Sequence, residues 1–307
     1  MKFFEESLVT MIAQENLLTT NFKEMKILVT GGVGFIGTNL IKRLVGENHE
    51  VHCLDNYVIG DPSNKQVGCV YHDLDIGEID LISVSDFDIC FHLAALSRIQ
   101  PSFTNPTETF KVNTQGTESV CEWGRLNNVK IIYAGSSSKW HNPYQSPYAM
   151  YKHLGEEICK MYRKTYNLNV DIVRFYNVYG PGEIIDGDWA AVIGIWRRQV
   201  RDGEKITIVG DGEQRRDFTH VDDIVDGLIR IAKHVGNHID AWELGTGTNY
   251  SMNEVFQLFK DKFSVECNYL PNQPGNYHET LRENNDAIES LGWSPVDRLN
   301  EYIKSIS

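Results

Sequence analysis

The sequence predicts an α/β fold in which a doubly wound parallel sheet is joined to a smaller C-terminal substrate-binding lobe. A glycine-rich turn connects the first strand to the first helix, and strand-like and helical segments then alternate. Such alternation is typical of a parallel sheet covered on both faces. With 307 residues, 41% of them hydrophobic and 23% charged, the chain has the composition of an ordinary folded protein.

The glycine turn follows the first strand directly. KILVT at 26–30 is a short apolar run, TGGVGFIG comes next, and FIGTNLIKRLVG continues with helical periodicity. Gly31 would make the tight turn, Gly34 would let the backbone approach a pyrophosphate, and Gly37 would let the helix pack close to the strand. The N-terminus of the helix would then face the anion.

A second strand, EVHCLD, ends in Asp55, eighteen positions after Gly37. An acidic side chain here accepts hydrogen bonds from both ribose hydroxyls of an adenosine and repels a 2′-phosphate. No lysine or arginine occupies positions 56–58. The pattern favours NAD over NADP, and the alternative of a glycine turn that binds nothing leaves Asp55 unexplained.

Further segments extend the alternation. Strand-like runs occur at GCVYHDL, FDICFHLAA, KIIYAG and NVDIVRF, helical stretches cover 106–127 and 147–166, and HVDDIVDGLIRIAKH with AWELG is expected to return to the larger lobe. The predicted domains are a helical N-terminal extension at 1–24, a Rossmann-type NAD-binding domain at 25–178 plus about 218–248, and a substrate-binding lobe at about 179–217 plus 249–307.

The charge balance argues against several partners. The 29 basic and 42 acidic residues leave a formal charge of −13, which disfavours nucleic acid and anionic membrane surfaces. Six cysteines without a CxxC pair suggest neither a disulfide framework nor a zinc site, so no metal is expected. No apolar run approaches the roughly 20 residues of a membrane span, and the acidic N-terminus does not match a signal peptide. We expect a cytoplasmic protein.

Tyr148 and Lys152 lie four positions apart in SPYAMYK, which on a helix places them on one face, one turn apart. A free tyrosine has a pKa of about 10. One ammonium about 4 Å away, at an effective dielectric of about 20, stabilises the phenolate by about 4 kcal/mol. The spacing therefore predicts that Lys152 lowers the pKa of Tyr148 and makes it a base, whereas a solvated tyrosine–lysine pair is the alternative for an isolated YxxxK.

Several motifs follow one another between about 25 and 303. They are TGGVGFIG, Asp55, Asp73, HLAALS, Asn113, the triplet Ser136, Ser137 and Ser138, YxxxK, RFYNVYGP, GDGEQRRDF, HVDDIVDG and LGW. In this order the chain resembles an extended short-chain dehydrogenase/reductase of the NAD-dependent nucleotide-sugar epimerase/dehydratase family. The resemblance implies an isomerase of carbohydrate metabolism that holds NAD and epimerises a nucleotide diphosphate sugar at its 4-position.

The resemblance also implies the site residues. Catalysis would use Tyr148, Lys152 and Ser138. Cofactor contacts are implied for Gly31, Gly34, Phe35, Ile36, Gly37, Asp55, Asn56, Asp73, Leu74, Leu93, Ala94, Ala95, Asn113, Ser136, Tyr148, Lys152 and Phe175. Substrate contacts are implied for Ser97, Ser138, Asn177, Val192 and Arg216. Independently of the resemblance, a planar guanidinium such as that of Arg216 suits bidentate binding of a pyrophosphate.

Three departures from the family pattern bear on the reaction. Lys139 and Trp140 replace the acidic pair of related 4,6-dehydratases, which disfavours elimination of water. Only nine residues separate Ser138 from Tyr148, fewer than in most relatives, so the pocket is more open or the loop supplies contacts of its own. Gln273 stands where relatives often carry an arginine for the second phosphate.

Several other polar residues allow either a structural or a functional interpretation. His141 is either a catalytic group or a packed loop residue, and His92 is expected to be structural. Arg215 and the basic run with Arg197, Arg198 and Arg201 are either solvated or reach a phosphate.

As a mechanism, we expect Tyr148 to take the proton of the sugar 4-hydroxyl while hydride passes from the same carbon to NAD, and then to return it after the keto sugar turns over. Ser138 would steady the charge on that oxygen. Dehydration, decarboxylation or keto-sugar reduction on the same scaffold, and a dinucleotide sensor without turnover, are the alternatives. Helices 106–127 and 147–166 would pair in a homodimer.

Overall fold

The computed structural model describes residues 24–307, so the predicted 1–24 helix lies outside it except for Glu24. The described residues form thirteen strands, namely β1 (Lys26–Thr30), β2 (Glu50–Asp55), β3 (Cys69–Asp73), β4 (Ile89–His92), β5 (Lys130–Ser136), β6 (Val170–Phe175), β7 (Val178–Tyr179), β8 (Ile206–Val209), β9 (Arg215–Asp217), β10 (Thr219–His220), β11 (Trp242–Leu244), β12 (Asn249–Ser251) and β13 (Cys267–Leu270). They also form ten α-helices, namely α1 (Phe35–Gly46), α2 (Ile99–Thr104), α3 (Pro106–Phe110), α4 (Gly116–Asn127), α5 (Pro147–Tyr166), α6 (Val192–Arg201), α7 (Val221–Lys233), α8 (Met252–Phe263), α9 (Asp286–Leu291) and α10 (Leu299–Ser305).

Seven strands make one parallel sheet in the order β11-β6-β5-β4-β1-β2-β3. The chain runs outward from β1 to β3 and then crosses back to β4 on the other side of β1. This doubly wound arrangement confirms the predicted fold class. Ligands of such sheets bind beyond the carboxyl ends of the strands, where the order reverses. Here that point lies between β1 and β4.

Alternation along the central strands divides the core into two layers. Ile27 and Val29 of β1 pack with α1 and α7 on one face, whereas Leu28 packs with α4 and α5 on the other. A third buried cluster joins α6, β8, α8 and α10 through side chains such as Trp196 and Phe259. None of the helices within residues 24–307 is both long enough and apolar enough to cross a bilayer.

The helical stretch predicted at 106–127 contains a π-helical turn, Lys111–Gln115, between α3 and α4. Asn113 lies in this turn, and its amide donates to the carbonyl oxygen of Leu96 at 3.0 Å. Its side-chain oxygen accepts from the Leu96 backbone N–H at 2.8 Å. Such turns are frequent near functional sites. This one fixes the segment that follows β4.

Candidate active site

A cavity of about 1070 Å³ lies at the carboxyl ends of β1, β2, β4 and β5 and continues toward α6 and β8. The predicted site residues line it, with the exception of Asp73 and Asn113. Asp73 is exposed at the end of β3, which is the edge strand of the sheet, and Asn113 is buried behind the wall. Asn113 acts on the cavity through the backbone of Leu96, as described above.

The glycine turn is enforced by the backbone that surrounds it. Gly31 has a φ of +72°, and a Cβ there would lie 2.8 Å from the Ala94 Cα. A Cβ on Gly37 would lie 2.3 Å from the Gly31 carbonyl oxygen, too close for any side chain. No side chain caps α1 at Gly34, so its first N–H groups are available to an anion. The turn therefore fits a pyrophosphate.

Asp55 supplies the second part of a dinucleotide site. One carboxylate oxygen accepts from the Tyr57 N–H at 2.9 Å and the other from the Val33 N–H at 3.0 Å. Burial raises the pKa of Asp55, and these backbone hydrogen bonds oppose the rise. Because each oxygen has a second lone pair, the oriented carboxylate can accept hydrogen bonds from a ribose diol. The residues present fit NAD.

Helix α5 positions Tyr148 and Lys152. The Ser146 hydroxyl caps the helix by accepting from the Ala149 N–H at 3.1 Å. The Tyr148 hydroxyl donates to the Ser136 Oγ at 3.3 Å, and the Lys152 Nζ donates to the Ala134 carbonyl oxygen at 2.9 Å. Both side chains thus point at the end of β5, as the i, i+4 spacing predicts.

The predicted effect of Lys152 on Tyr148 is wrong for the protein alone. Burial raises the pKa of Tyr148, and the influences that oppose the rise are the Ser136 hydrogen bond and the Arg98 guanidinium. Burial also lowers the pKa of Lys152 to about 8, although Glu156 acts against this. The Lys152 ammonium is not among the influences on the pKa of Tyr148, and it donates to the Ala134 carbonyl oxygen instead.

Ser138 lies in a 3₁₀ turn, Ser137–Trp140, directly after β5. The Ser136 hydroxyl accepts from the Ser138 N–H at 3.1 Å. The Trp140 Nε1 donates to Glu243 at 2.7 Å, which anchors the short loop to β11. Lys139 points to Glu157, with 3.3 Å between the charged atoms, and does not line the cavity.

The far end of the cavity carries the predicted phosphate-binding groups. The Asn177 amide donates to the Asp217 carbonyl oxygen and to the Thr280 hydroxyl, each at 3.0 Å. Arg216 donates to the carbonyl oxygen of Tyr277 at 2.8 Å, and burial lowers its pKa to about 10. Arg215 instead pairs with Glu254 at 2.9 Å and does not line the cavity.

The structure also shows the surroundings of the other polar residues. His92 lies buried between the hydroxyls of Thr30 and Thr117, at 2.9 and 3.2 Å, and burial lowers its pKa to about 3, in keeping with a structural role. Within the basic run, Arg197 pairs with Glu183 and Arg201 with Asp186, and Arg198 lines the cavity.

Arg98, Glu183 and Tyr277 are among the cavity residues that were not identified from the sequence. The Arg98 Nε donates to the Trp189 carbonyl oxygen at 2.8 Å. Arg98 follows HLAALS in the loop after β4, and loops at the carboxyl ends of strands bind ligands in parallel sheets, so its place in the motif was a usable signal. Glu183 and Tyr277 have no comparable local pattern.

Known proteins resemble the chain over nearly its whole length. A UDP-glucose 4-epimerase of Mycolicibacterium smegmatis is 31% identical over 304 residues, covering 91% of this chain and 96% of the relative. UDP-glucuronic acid decarboxylase 3 of Arabidopsis thaliana is 30% identical over 304 residues, covering 90% of this chain and 86% of the relative. The crystal structure of UDP-glucose 4-epimerase with UDP-glucose from Thermotoga maritima superposes with a TM-score of 0.85 at 28% identity, covering 92% of this chain and 97% of that one.

The family model described as NAD dependent epimerase/dehydratase family matches residues 27–245. This range contains the glycine turn, Asp55, the serine triplet, Tyr148 and Lys152, whereas the cavity residues between 252 and 280 lie beyond it. The chain belongs to the NAD dependent epimerase/dehydratase family.

Proposed function

We propose that the protein is an NAD-dependent 4-epimerase of a UDP-linked sugar. The convergence of Tyr148, Lys152 and Ser138 at the end of β5, in one cavity with the glycine turn, carries this proposal. The UDP carrier is taken from the names of the relatives. Asn177 and Arg216 at the far end of the cavity support binding of a diphosphate.

Each side chain has a defined task in this proposal. NAD, when bound, supplies reversible oxidation of a sugar alcohol to a ketone and a positive charge near Tyr148. Tyr148 as phenolate takes the proton of the sugar 4-hydroxyl and later returns it to the same oxygen. Ser138 donates a hydrogen bond to that oxygen as charge develops on it. Lys152, oriented by the Ala134 carbonyl oxygen, would bind the nicotinamide ribose.

Two observations bear on the alternative reactions. Elimination of water requires an acid and a base beside the sugar, whereas Lys139 and Trp140 do not line the cavity. Decarboxylation is the second candidate, because a similar protein is named UDP-glucuronic acid decarboxylase 3. The Arg98 guanidinium also lies in the cavity, where a sugar carboxylate could bind it. A dinucleotide sensor would have no use for Tyr148, Lys152 and Ser138 together in one cavity.

The purified protein is tested with UDP-glucose, UDP-N-acetylglucosamine and UDP-glucuronic acid, and the products are analysed by NMR and mass spectrometry. Epimerisation preserves the substrate mass and leaves no net NADH absorbance. We expect Tyr148→Phe to lower kcat about 10²–10⁴-fold, and the exposed Tyr269→Phe to retain wild-type turnover. Release of carbon dioxide would identify a decarboxylase. Near-wild-type turnover by Tyr148→Phe would exclude Tyr148 as the base.

We propose that α4 and α5 form the interface of a homodimer. Their outer faces expose apolar side chains, Leu126, Met161 and Tyr166, with 67, 43 and 51% of their surface accessible. Light scattering of the wild type should give twice the chain mass, and Met161→Glu should shift it toward the monomer. A monomeric wild type would contradict the proposal.

We assign the protein to the cytoplasm on its cysteine pattern, which cell fractionation tests. We also propose the two-lobe division at about 179–217 plus 249–307, because the third buried cluster draws on these segments. Amide hydrogen exchange, measured with and without UDP, should show that UDP protects the amides of this lobe separately from those of the sheet.

A further inference from the structure

Tyr277 is a buried phenol in the wall of the cavity that the proposed reaction does not use. Only 8% of its surface is accessible, and its hydroxyl has no hydrogen-bond partner among the described residues. Leaving a buried hydroxyl without a partner lowers stability. Such a group in a ligand cavity calls for an explanation by function.

Two contacts hold the ring beside the turn that carries Ser138. The Tyr277 ring stacks on His141 with 3.9 Å between centroids and 9° between planes. The His141 N–H in turn donates to the carbonyl oxygen of Ser138 at 3.0 Å. Arg216 donates to the Tyr277 carbonyl oxygen at 2.8 Å, which fixes the backbone on the other side. The phenol is thus held in place at the reacting end of the cavity.

The phenol has a proton to donate at neutral pH. Burial raises the pKa of Tyr277 to about 12, and the neighbouring Tyr148 adds to the rise. The Ser138 and Ser146 side chains oppose it as hydrogen-bonding neighbours, so both lie near the phenol, although neither meets the geometry of a hydrogen bond with it. Ser146 already accepts a hydrogen bond from the Ala149 N–H as the cap of α5. Ser138 is therefore the freer acceptor.

We infer, on the basis of the proposed epimerase function, that Tyr277 is a positioning residue for Ser138. Its phenol donates to the Ser138 Oγ when the sugar is bound, so that Ser138 directs its own proton to the oxygen of the reacting sugar. The orphaned hydroxyl then gains its partner in the complex. His141 contributes by holding the phenol ring through the stacking contact.

A double-mutant cycle tests this inference. We expect Tyr277→Phe, which keeps the ring and its stacking, to lower kcat about tenfold and to change KM for the sugar nucleotide less than about twofold. In a Ser138→Ala background the same substitution should change kcat less than about twofold, because the hydroxyl through which Tyr277 acts is absent. Tyr269→Phe, an exposed phenol in the same C-terminal region, is the matched control and should cost nothing in either background.

Equal losses of kcat in the two backgrounds would overturn the inference, since Tyr277 would then act independently of Ser138. No loss in the wild-type background, or a rise in KM alone, would overturn it as well. These results differ from failure of the proposed function, in which the wild type itself interconverts no UDP-sugar. Thermal unfolding of each variant shows whether a lost kcat reflects a lost fold.

Discussion

The two ends of the cavity are built in different ways. At the cofactor end, backbone atoms define the site. A Cβ on Gly31 would lie 2.8 Å from the main chain of Ala94, and a Cβ on Gly37 would lie 2.3 Å from the Gly31 carbonyl oxygen. At the sugar end, side chains define it, and desolvation works against the charged forms of several of them. The pKa of Tyr148 is raised, and those of Lys152 and Arg216 are lowered to about 8 and about 10.

This difference separates binding from chemistry. A dinucleotide is recognised by N–H groups and by a carboxylate, that of Asp55, whose burial is opposed by two backbone hydrogen bonds. Proton transfer instead needs ionisable groups in a low-dielectric site, where their charges are disfavoured until the ligand arrives. Steric change should therefore damage the cofactor end, and change of charge should affect the sugar end.

The largest effect on ligand binding is expected at the cofactor end. Gly37→Ala would place a methyl group 2.3 Å from the Gly31 carbonyl oxygen and 2.7 Å from the Gly32 Cα. Because main chain cannot yield as a flexible side chain can, we expect NAD affinity to fall more than about 100-fold, measured by calorimetry. Gly46→Ala at the end of the same helix meets nothing within 4 Å and should bind NAD normally. Binding by Gly37→Ala within tenfold of wild type would show that the turn is not rigid.

At the sugar end, Lys152→Met should abolish turnover yet stabilise the fold. The folded-state pKa of about 8 lies below the unfolded value of about 10.4, so the buried ammonium opposes folding. After allowance for the lost hydrogen bond to Ala134, we expect a gain of about 1–3 kcal/mol at pH 7 in urea unfolding. The gain is full below pH 8 and fades toward pH 10.4, where the lysine is neutral in both states.

Lys164→Met, an exposed lysine on the same helix, serves as the control and should not show this gain. A Lys152→Met protein that is less stable than wild type at pH 7 would show that the ammonium is well solvated or paired. Burial would then not disfavour charge at the sugar end, and the electrostatic difference between the two ends would not hold.

Arg98→Met should have a smaller effect, and we expect it in the pH dependence of kcat/KM. The guanidinium favours the Tyr148 phenolate, so its removal raises the pKa of the base. The rising limb of kcat/KM should therefore move to higher pH, and turnover at neutral pH should fall about three- to tenfold. Arg201→Met removes a surface cation paired with Asp186 and should leave the profile unchanged. An unmoved limb in Arg98→Met would mean that the cofactor alone sets this pKa.

The smallest effect is expected from the anchor of the short loop. Trp140→Phe removes the hydrogen bond to Glu243, which retains those from the Tyr176 hydroxyl and the Glu283 N–H. We expect a loss of about 1 kcal/mol in stability and less than about twofold in turnover. Tyr144→Phe, at an exposed ring in the same loop, should be neutral. A loss of turnover as large as that of Ser138→Ala would instead give the anchor a direct part in catalysis.

The cofactor end was predictable because its signal is local. β1, the glycine turn and α1 follow one another without interruption, and Asp55 closes the next strand. Helix α5 begins and ends at the predicted residues, since Ser146 caps it and the apolar spacing continues to Tyr166. The π-helical turn around Asn113 was not predictable in this way, because one extra residue in a turn barely changes that spacing.

The chain's order of strand and helix patterns by itself determined the doubly wound sheet, the dinucleotide turn and the pairing of Tyr148 with Lys152 on one helical face. Tertiary structure alone decided which partners these groups meet: Lys152 binds the Ala134 carbonyl oxygen, and Arg98 and Tyr277 enter the site from distant segments. The physical reason is that periodicity encodes which face of an element is buried, whereas the charge state of a buried group depends on neighbours that folding brings together from elsewhere in the chain.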